Sequence, residues 1–141
     1  MEHTFILDAW ALIALLQKEE PAAGRVHALI SQAQTNEQLQ LLMSLMNLGE
    51  LFYIVGRLRG QDEARQTVAD IRQLPLTLLE ATEERIFAAA RLKMIHRLSY
   101  ADAFAAAAAQ EFQATLLTGD PELIALADDL SIENLRQNTQ S

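Results

Sequence analysis

Four acids stand apart in this chain because each lies in or beside an apolar segment. Asp8 follows the run Thr4 to Leu7. Glu50 sits among Met46, Leu48, Leu51, Phe52, Ile54 and Val55. Asp102 lies at the front of an alanine-rich stretch, and Asp120 precedes Pro121. Carboxylates crowded together repel and raise one another's pKa. A hard cation relieves that repulsion, since Mg²⁺ and Mn²⁺ take oxygen ligands and keep several waters. An ion so held lowers the pKa of a bound water and steadies charge on a phosphoryl oxygen. If the four acids share one site, the chemistry suggested is metal-assisted hydrolysis of a phosphodiester. Each acid also has a plainer use. Asp8 and Asp120 suit helix N-caps. Asp102 stands three residues after Ser99, close to a capping box. Glu50 recurs with Ser44, Asn47 and Arg57 at helical spacing, which a solvated stripe would explain equally well.

The elements that must position these acids follow from periodicity and punctuation. Thr4 to Leu7 reads as a buried strand ending at Asp8, and apolar residues 9, 12, 13 and 16 predict a helix over Ala9 to Lys18. Pro21 opens a second helix to about Ala33, with His27 on its polar side. Leu39 to Met43 is the second strand and Ser44 to Leu58 the next helix, which Gly60 ends. Gln61 to Leu74 is helical and Pro75 stops it. Leu76 to Leu79 is the third strand. Thr82 caps a helix with Glu83 and Glu84 at its start and Arg91, Lys93 and Arg97 at its end, a polarity that complements the helix dipole. Ser99 caps a helix running to about Gln110. Ala114 to Leu117 is a fourth strand, and Thr118-Gly119-Asp120 turns the chain into a helix over Glu122 to Asp129. Leu130 to Leu135 is expected as an edge strand. Residues 136–141 are read as a polar tail after a single domain over 1–135, and chain ends of this kind fray.

Strands alternating with helices mean an α/β fold with a mainly parallel sheet. In such sheets ligands sit outside the carboxyl ends of the strands, where strand order switches. Asp8 and Asp120 both leave the carboxyl ends of their strands, so one crevice can hold both.

Composition narrows the class. At 141 residues with 50% hydrophobic content, the chain is long enough for one sizeable core and too apolar for disorder. It has no cysteine, which removes disulfides, thiolate metal sites and a cysteine nucleophile. No apolar run approaches membrane-spanning length and no signal-peptide pattern is seen, so a cytoplasmic protein is expected. The formal net charge of −8 argues against broad, non-specific adhesion to nucleic acid, though not against a nucleic-acid enzyme. His3, His27 and His96 lack zinc spacing. There is no glycine-rich phosphate loop and no serine in a nucleophile elbow. A receiver-type domain would pair a second acid with Asp8, where this chain has Ala9. A haloacid-type phosphatase would place one at Trp10.

Leu7-Asp8-Ala9, Asn47-Leu48-Gly49-Glu50, Leu98-Ser99-Tyr100-Ala101-Asp102-Ala103 and Leu117-Thr118-Gly119-Asp120-Pro121-Glu122 together resemble the motifs of the PIN domain, with VapC-type toxins of toxin–antitoxin pairs the nearest likeness. The likeness covers nearly the whole chain. It implies a three-layer fold in which helices flank a parallel sheet of five strands in order 3-2-1-4-5. It implies an endoribonuclease dependent on Mg²⁺ or Mn²⁺, often dimeric, and held inactive by a cognate antitoxin. On that basis Asp8, Glu50, Asp102 and Asp120 are the metal-binding, catalytic acids, with Asn47 and Thr118 supporting them. The chain departs from the family's habit at Trp10, where Ser or Thr is common, and in lacking the basic residue common after the last motif. The alternative is a PIN-fold interaction module whose acids dock a basic partner without catalysis.

Overall fold

Along a parallel strand buried on both sides, successive side chains serve two different cores. The first strand, β1 (His3–Leu7), shows this directly. Phe5 and Leu7 pack into one apolar cluster and Ile6 into another. The second strand, β2 (Leu39–Ser44), divides in the same way, with Leu39, Leu41 and Met43 on the first side and Leu42 on the second. In β4 (Thr115–Thr118), Leu117 joins the first cluster and Leu116 the second. The short strands β3 (Thr77–Leu79) and β5 (Ile132–Asn134) close the sheet. All pairings are parallel and the order is β3-β2-β1-β4-β5, as the family resemblance implied. The computed structural model of the chain describes residues 3–137.

Helices cover both faces. α1 (Ala9–Leu16), α2 (Ala22–Ala33), α3 (Leu45–Arg59) and α4 (Gln61–Ile71) contribute Leu12, Val26, Leu51 and Ile71 to the first cluster. α5 (Glu83–Ile95), α6 (Tyr100–Glu111) and α7 (Pro121–Ile124) contribute Leu92, Phe104 and Leu123 to the second. α6 is buried continuously from Asp102 to Ala109. A helix apolar on every side must be enclosed, and the alanines let the sheet and α5 approach it closely. Gly60 holds φ at +95° between α3 and α4, a conformation that favours glycine.

Two expectations need correction. α7 ends at Ile124 instead of continuing to Asp129; the following residues form turns, in which Leu130 N bonds to Leu126 O. Leu123 and Leu126 already fill the space beside the sheet, so the chain turns back toward β5. Arg136, assigned by sequence to the tail, is anchored. Its backbone N donates to Asn134 Oδ1 at 2.9 Å, and its Nε donates to Gly119 O. The rest of the expected tail after Gln137 lies outside the described residues.

Candidate active site

β1 and β4 lie side by side at the point where strand order switches, with Leu7 opposite Leu117. The next residue on each strand is therefore Asp8 beside Thr118, at the carboxyl edge of the sheet. Thr118 Oγ1 donates to Asp8 Oδ2 and accepts from Asp120 N at 3.0 Å. One fully buried hydroxyl thus ties two of the four acids together. Asp8 Oδ1 accepts from Ala11 N at 2.9 Å, so Asp8 is the N-cap of α1 as well. Asp120 caps α7 through Glu122 N at 2.9 Å. Capping and convergence are compatible, because both helices start at the same edge of the sheet.

The other two acids come from α3 and α6. Ser44 caps α3 through Met46 N at 3.1 Å, and Ser99 caps α6 through Asp102 N at 3.1 Å. The polar stripe expected on α3 is not a solvated one at its front: Ser44 and Asn47 are buried, while Arg57 is exposed. Asn47 Nδ2 donates to Ala101 O at 3.1 Å, bracing α3 against the residue before Asp102. Asn47 stands one turn before Glu50, whose charged form it favours.

Asp8, Glu50, Asp102 and Asp120 line one pocket, with Ala9, Trp10, Ile13 and Ile54 completing its wall. Its volume is about 110 Å³. That is small beside the roughly 300–1,000 Å³ of ordinary ligand pockets, and it suits an ion with its waters or a single phosphoryl group. Burial pushes the Asp8 carboxyl up to about 7, against the lowering effect of its bonds from Thr118 and Ala11; the charges of Asp120 and Glu50 push it further up. Burial raises Asp102 well above the ordinary carboxyl range, helped by a hydrogen bond to Asp120 and by the charges of Asp120, Asp8 and Glu50. Burial also raises Glu50, as does the charge of Asp120, with the Asn47 bond working the other way. Among the described residues none of the four acids forms an ion pair.

A set of buried, mutually repelling carboxyl oxygens without a basic partner is the donor set a hard divalent cation takes. Among the described residues no three acidic or histidine side chains converge as a ready-made ligand cage. An ion held here would keep waters between itself and part of the ring, as Mg²⁺ commonly does. Asn47 Oδ1, buried and without a partner, is an additional acceptor beside the acids' supports.

Trp10 is partly buried and forms part of the pocket wall. A Cβ on Gly119 would come within 2.3 Å of the indole, so the turn needs glycine for this close approach. The Arg136 guanidinium lies 4.9 Å from the indole centroid. No local signal marks Arg136, because its neighbours Trp10 and Gly119 are far away in sequence. His27 is exposed and takes no part in the pocket.

Comparison with known proteins agrees with this architecture. The chain is similar to VapBC from Salmonella typhimurium bound to DNA, at 16% identity over 96% of this chain and 99% of that one, with a TM-score of 0.70. It is similar to VapC20 of Mycobacterium tuberculosis, a toxin that cleaves the sarcin–ricin loop, at 19% identity over 86% and 93%, with a TM-score of 0.68. It is also similar to VapBC2 from Rickettsia felis bound to a promoter DNA fragment, at 19% identity over 93% and 98%, with a TM-score of 0.67. No curated protein matches. At such identities these likenesses speak for the fold. A family model described as the PIN domain matches residues 5–129, from β1 through all four acids, and on that match the chain belongs to the PIN domain family.

Proposed function

We propose that this protein is a metal-dependent endoribonuclease that hydrolyses RNA phosphodiester bonds, and that it is the toxin of a toxin–antitoxin pair acting in the cytoplasm. The observation that carries the reading is the convergence of Asp8, Glu50, Asp102 and Asp120 from four separate elements into one pocket with no cationic partner among the described residues. In this reading the four acids hold Mg²⁺ or Mn²⁺. Such an ion, when bound, supplies a water of lowered pKa and neutralises charge on the phosphoryl oxygens. The chain's own residues set the geometry. Thr118 fixes the Asp8 carboxylate and the Asp120 backbone as a unit. Asn47 braces α3, one turn before Glu50, against the entry of α6. Asp8 and Asp102 are the most enclosed acids, and Asp120 and Glu50 are more open.

The partner proposed is a cognate antitoxin. An apolar groove of about 220 Å³ runs between α1, α3 and α4, lined by Ile13, Leu16, Ile54, Val55 and Leu58 with Glu63 and Asp70 among its polar residues. Ile13 and Ile54 belong to both groove and acid pocket. An apolar segment seated in the groove would carry a following Arg or Lys onto the acids. Structures similar in fold include toxin–antitoxin complexes, which is in keeping with such a partner. A homodimer is proposed through α5 and the start of α6, where Phe87, Met94, Ile95 and Tyr100 are exposed.

The test is cleavage of single-stranded RNA with Mg²⁺ or Mn²⁺, with chelator, and with Asp120→Asn. Cutting should need the metal and fall at least a hundredfold in the variant, on the order of the loss of one strong electrostatic contact to the transition state. Undiminished cutting in chelator would rule the mechanism out. Intact RNA under every condition, with a basic peptide still bound at the acids, would favour the interaction module instead.

A further inference from the structure

Four carboxylates with no neutralising base repel the polyanion that the proposed reaction must bring to them. A cation close by would ordinarily fall onto the acids and be spent there. Arg59 and Arg65 pair with the α4 acids Glu63 and Asp62. Arg25 is held by Glu133 through bonds of 2.7 and 3.0 Å, and Arg85 by Glu111 at 3.0 and 3.1 Å. Arg136 differs. It is exposed, forms no ion pair among the described residues, and is held by Nε on the Gly119 carbonyl and by its plane's proximity to Trp10.

Its placement is built into the fold. Leu135 is almost fully buried and donates its N–H to Thr118 O at 2.9 Å, which pins the end of β5 to the end of β4. The next residue, Arg136, therefore emerges beside Gly119, one residue before Asp120. Gly119 permits the indole to lie against the turn. Trp10 stands in the pocket wall. The carbonyl and the indole together keep the guanidinium at the rim and leave its two terminal nitrogens without a carboxylate among the described residues.

We propose that Arg136, seated on Trp10 and Gly119 at the rim of the acid pocket, binds the phosphodiester neighbouring the one that is cut and so positions single-stranded nucleic acid. This rests on the phosphodiesterase reading of the pocket. A guanidinium fork matches phosphate oxygens, and an adjoining indole holds it flat without neutralising it. Arg136 acts as a positioning residue: it supplies affinity and register, and the acids keep the chemistry. A contact to phosphate ignores the 2′-hydroxyl, so it serves RNA and DNA strands alike.

Trp10 is the only tryptophan in the chain, so its fluorescence reports on the rim. Binding of a short mixed-sequence single-stranded RNA, and of DNA of the same sequence, is followed by this emission in the Asp120→Asn background. Arg136→Gln should weaken both several-fold and reduce the slope of log affinity against log salt by about 0.7, the value for one phosphate contact to a single strand. Arg136→Lys should restore the slope and only part of the affinity, because it keeps the charge and loses the fork. In otherwise wild-type protein, Arg136→Gln should raise KM for RNA and leave kcat nearly unchanged. An unchanged salt slope in Arg136→Gln would overturn the proposal, and so would lost affinity that merely follows a lowered melting temperature. If wild-type protein binds RNA with the Arg136-dependent slope and cuts none, the nuclease reading fails while the rim contact stands. If it cuts RNA and Arg136→Gln changes neither KM nor slope, the rim contact fails alone.

Discussion

Asp8 shows how one side chain carries two duties. It caps α1 through Ala11 N, and it stands in a pocket with three other acids. The cap and the Thr118 bond favour its charged form; burial opposes it more strongly. The sign of the pH dependence follows. An unfolded Asp titrates near pH 4, whereas Asp8 in the folded chain is raised to about 7 and Asp102 is raised too. Through that window the folded state keeps protons that the unfolded state has released, so stability falls as pH rises. Metal-free protein should therefore melt at a lower temperature at about pH 8 than at about pH 5. Asp102→Asn should remove part of that slope, because Asn carries no charge to be desolvated. Mn²⁺ at a hundredfold excess over its dissociation constant should stabilise wild type by about 2.7 kcal/mol, and Asp102→Asn should lose most of the gain. Thermal unfolding of both proteins across pH, with and without Mn²⁺, measures all of this. Equal metal-induced shifts in the two would remove the shared-pocket account.

At the scale of elements, the site depends on turns more than on helix interiors. The β4–α7 turn brings Gly119 against the Trp10 indole of α1, leaving no room for a methyl group. Gly119→Ala should destabilise the protein by about 1–3 kcal/mol, the usual cost of overpacking. Trp10→Ala clears the obstruction, so the double variant should be less destabilised than the two single costs add to. A denaturation cycle would show coupling of roughly 0.5–3 kcal/mol; simple additivity would mean that the turn had moved away from the indole. α6 is positioned differently. Its alanines allow the sheet and α5 to close around it, and Ser99 and Asn47 fix where its first turn begins. Asp102 thus reaches the pocket because of how α6 packs, even though its local role in the helix is an ordinary first-turn acid.

For the whole molecule, one group of exposed apolar residues lies on α5. Phe87, Met94 and Ile95 are 57%, 80% and 75% exposed. A surface of that kind invites burial by a second copy of the chain. Light scattering should give twice the 15.7 kDa chain mass. Met94→Glu combined with Ile95→Glu should return it to the monomer with an unchanged circular dichroism spectrum. A wild-type monomer at working concentration would dismiss the dimer. The net charge of −8 also has a physical consequence at this scale. If RNA is the substrate, as proposed, it approaches against the average field, so association should depend on a few placed cations and less on the surface as a whole.

Much of this architecture was legible in the chain itself. Apolar runs such as Phe5-Ile6-Leu7 and Leu116-Leu117 reveal strands buried on both faces, and Ser44, Thr82 and Ser99 mark helix starts that the structure retains. These signals are local: side-chain alternation, cap chemistry and the stiffness of proline act within a few residues. The motif resemblance also anticipated the strand order. What the residues alone left open was whether Asp8 and Asp120 were caps or members of one site. Only the sheet register, with Leu7 opposite Leu117, brings both caps to the lining of one pocket. The seat of Arg136 on Trp10 and Gly119 was invisible for the same reason. Three residues far apart in sequence meet there because β5 pairs with β4 and α1 leaves β1 at the same edge. Long-range pairing of that kind is decided by how the whole sheet assembles, and no window of sequence contains it.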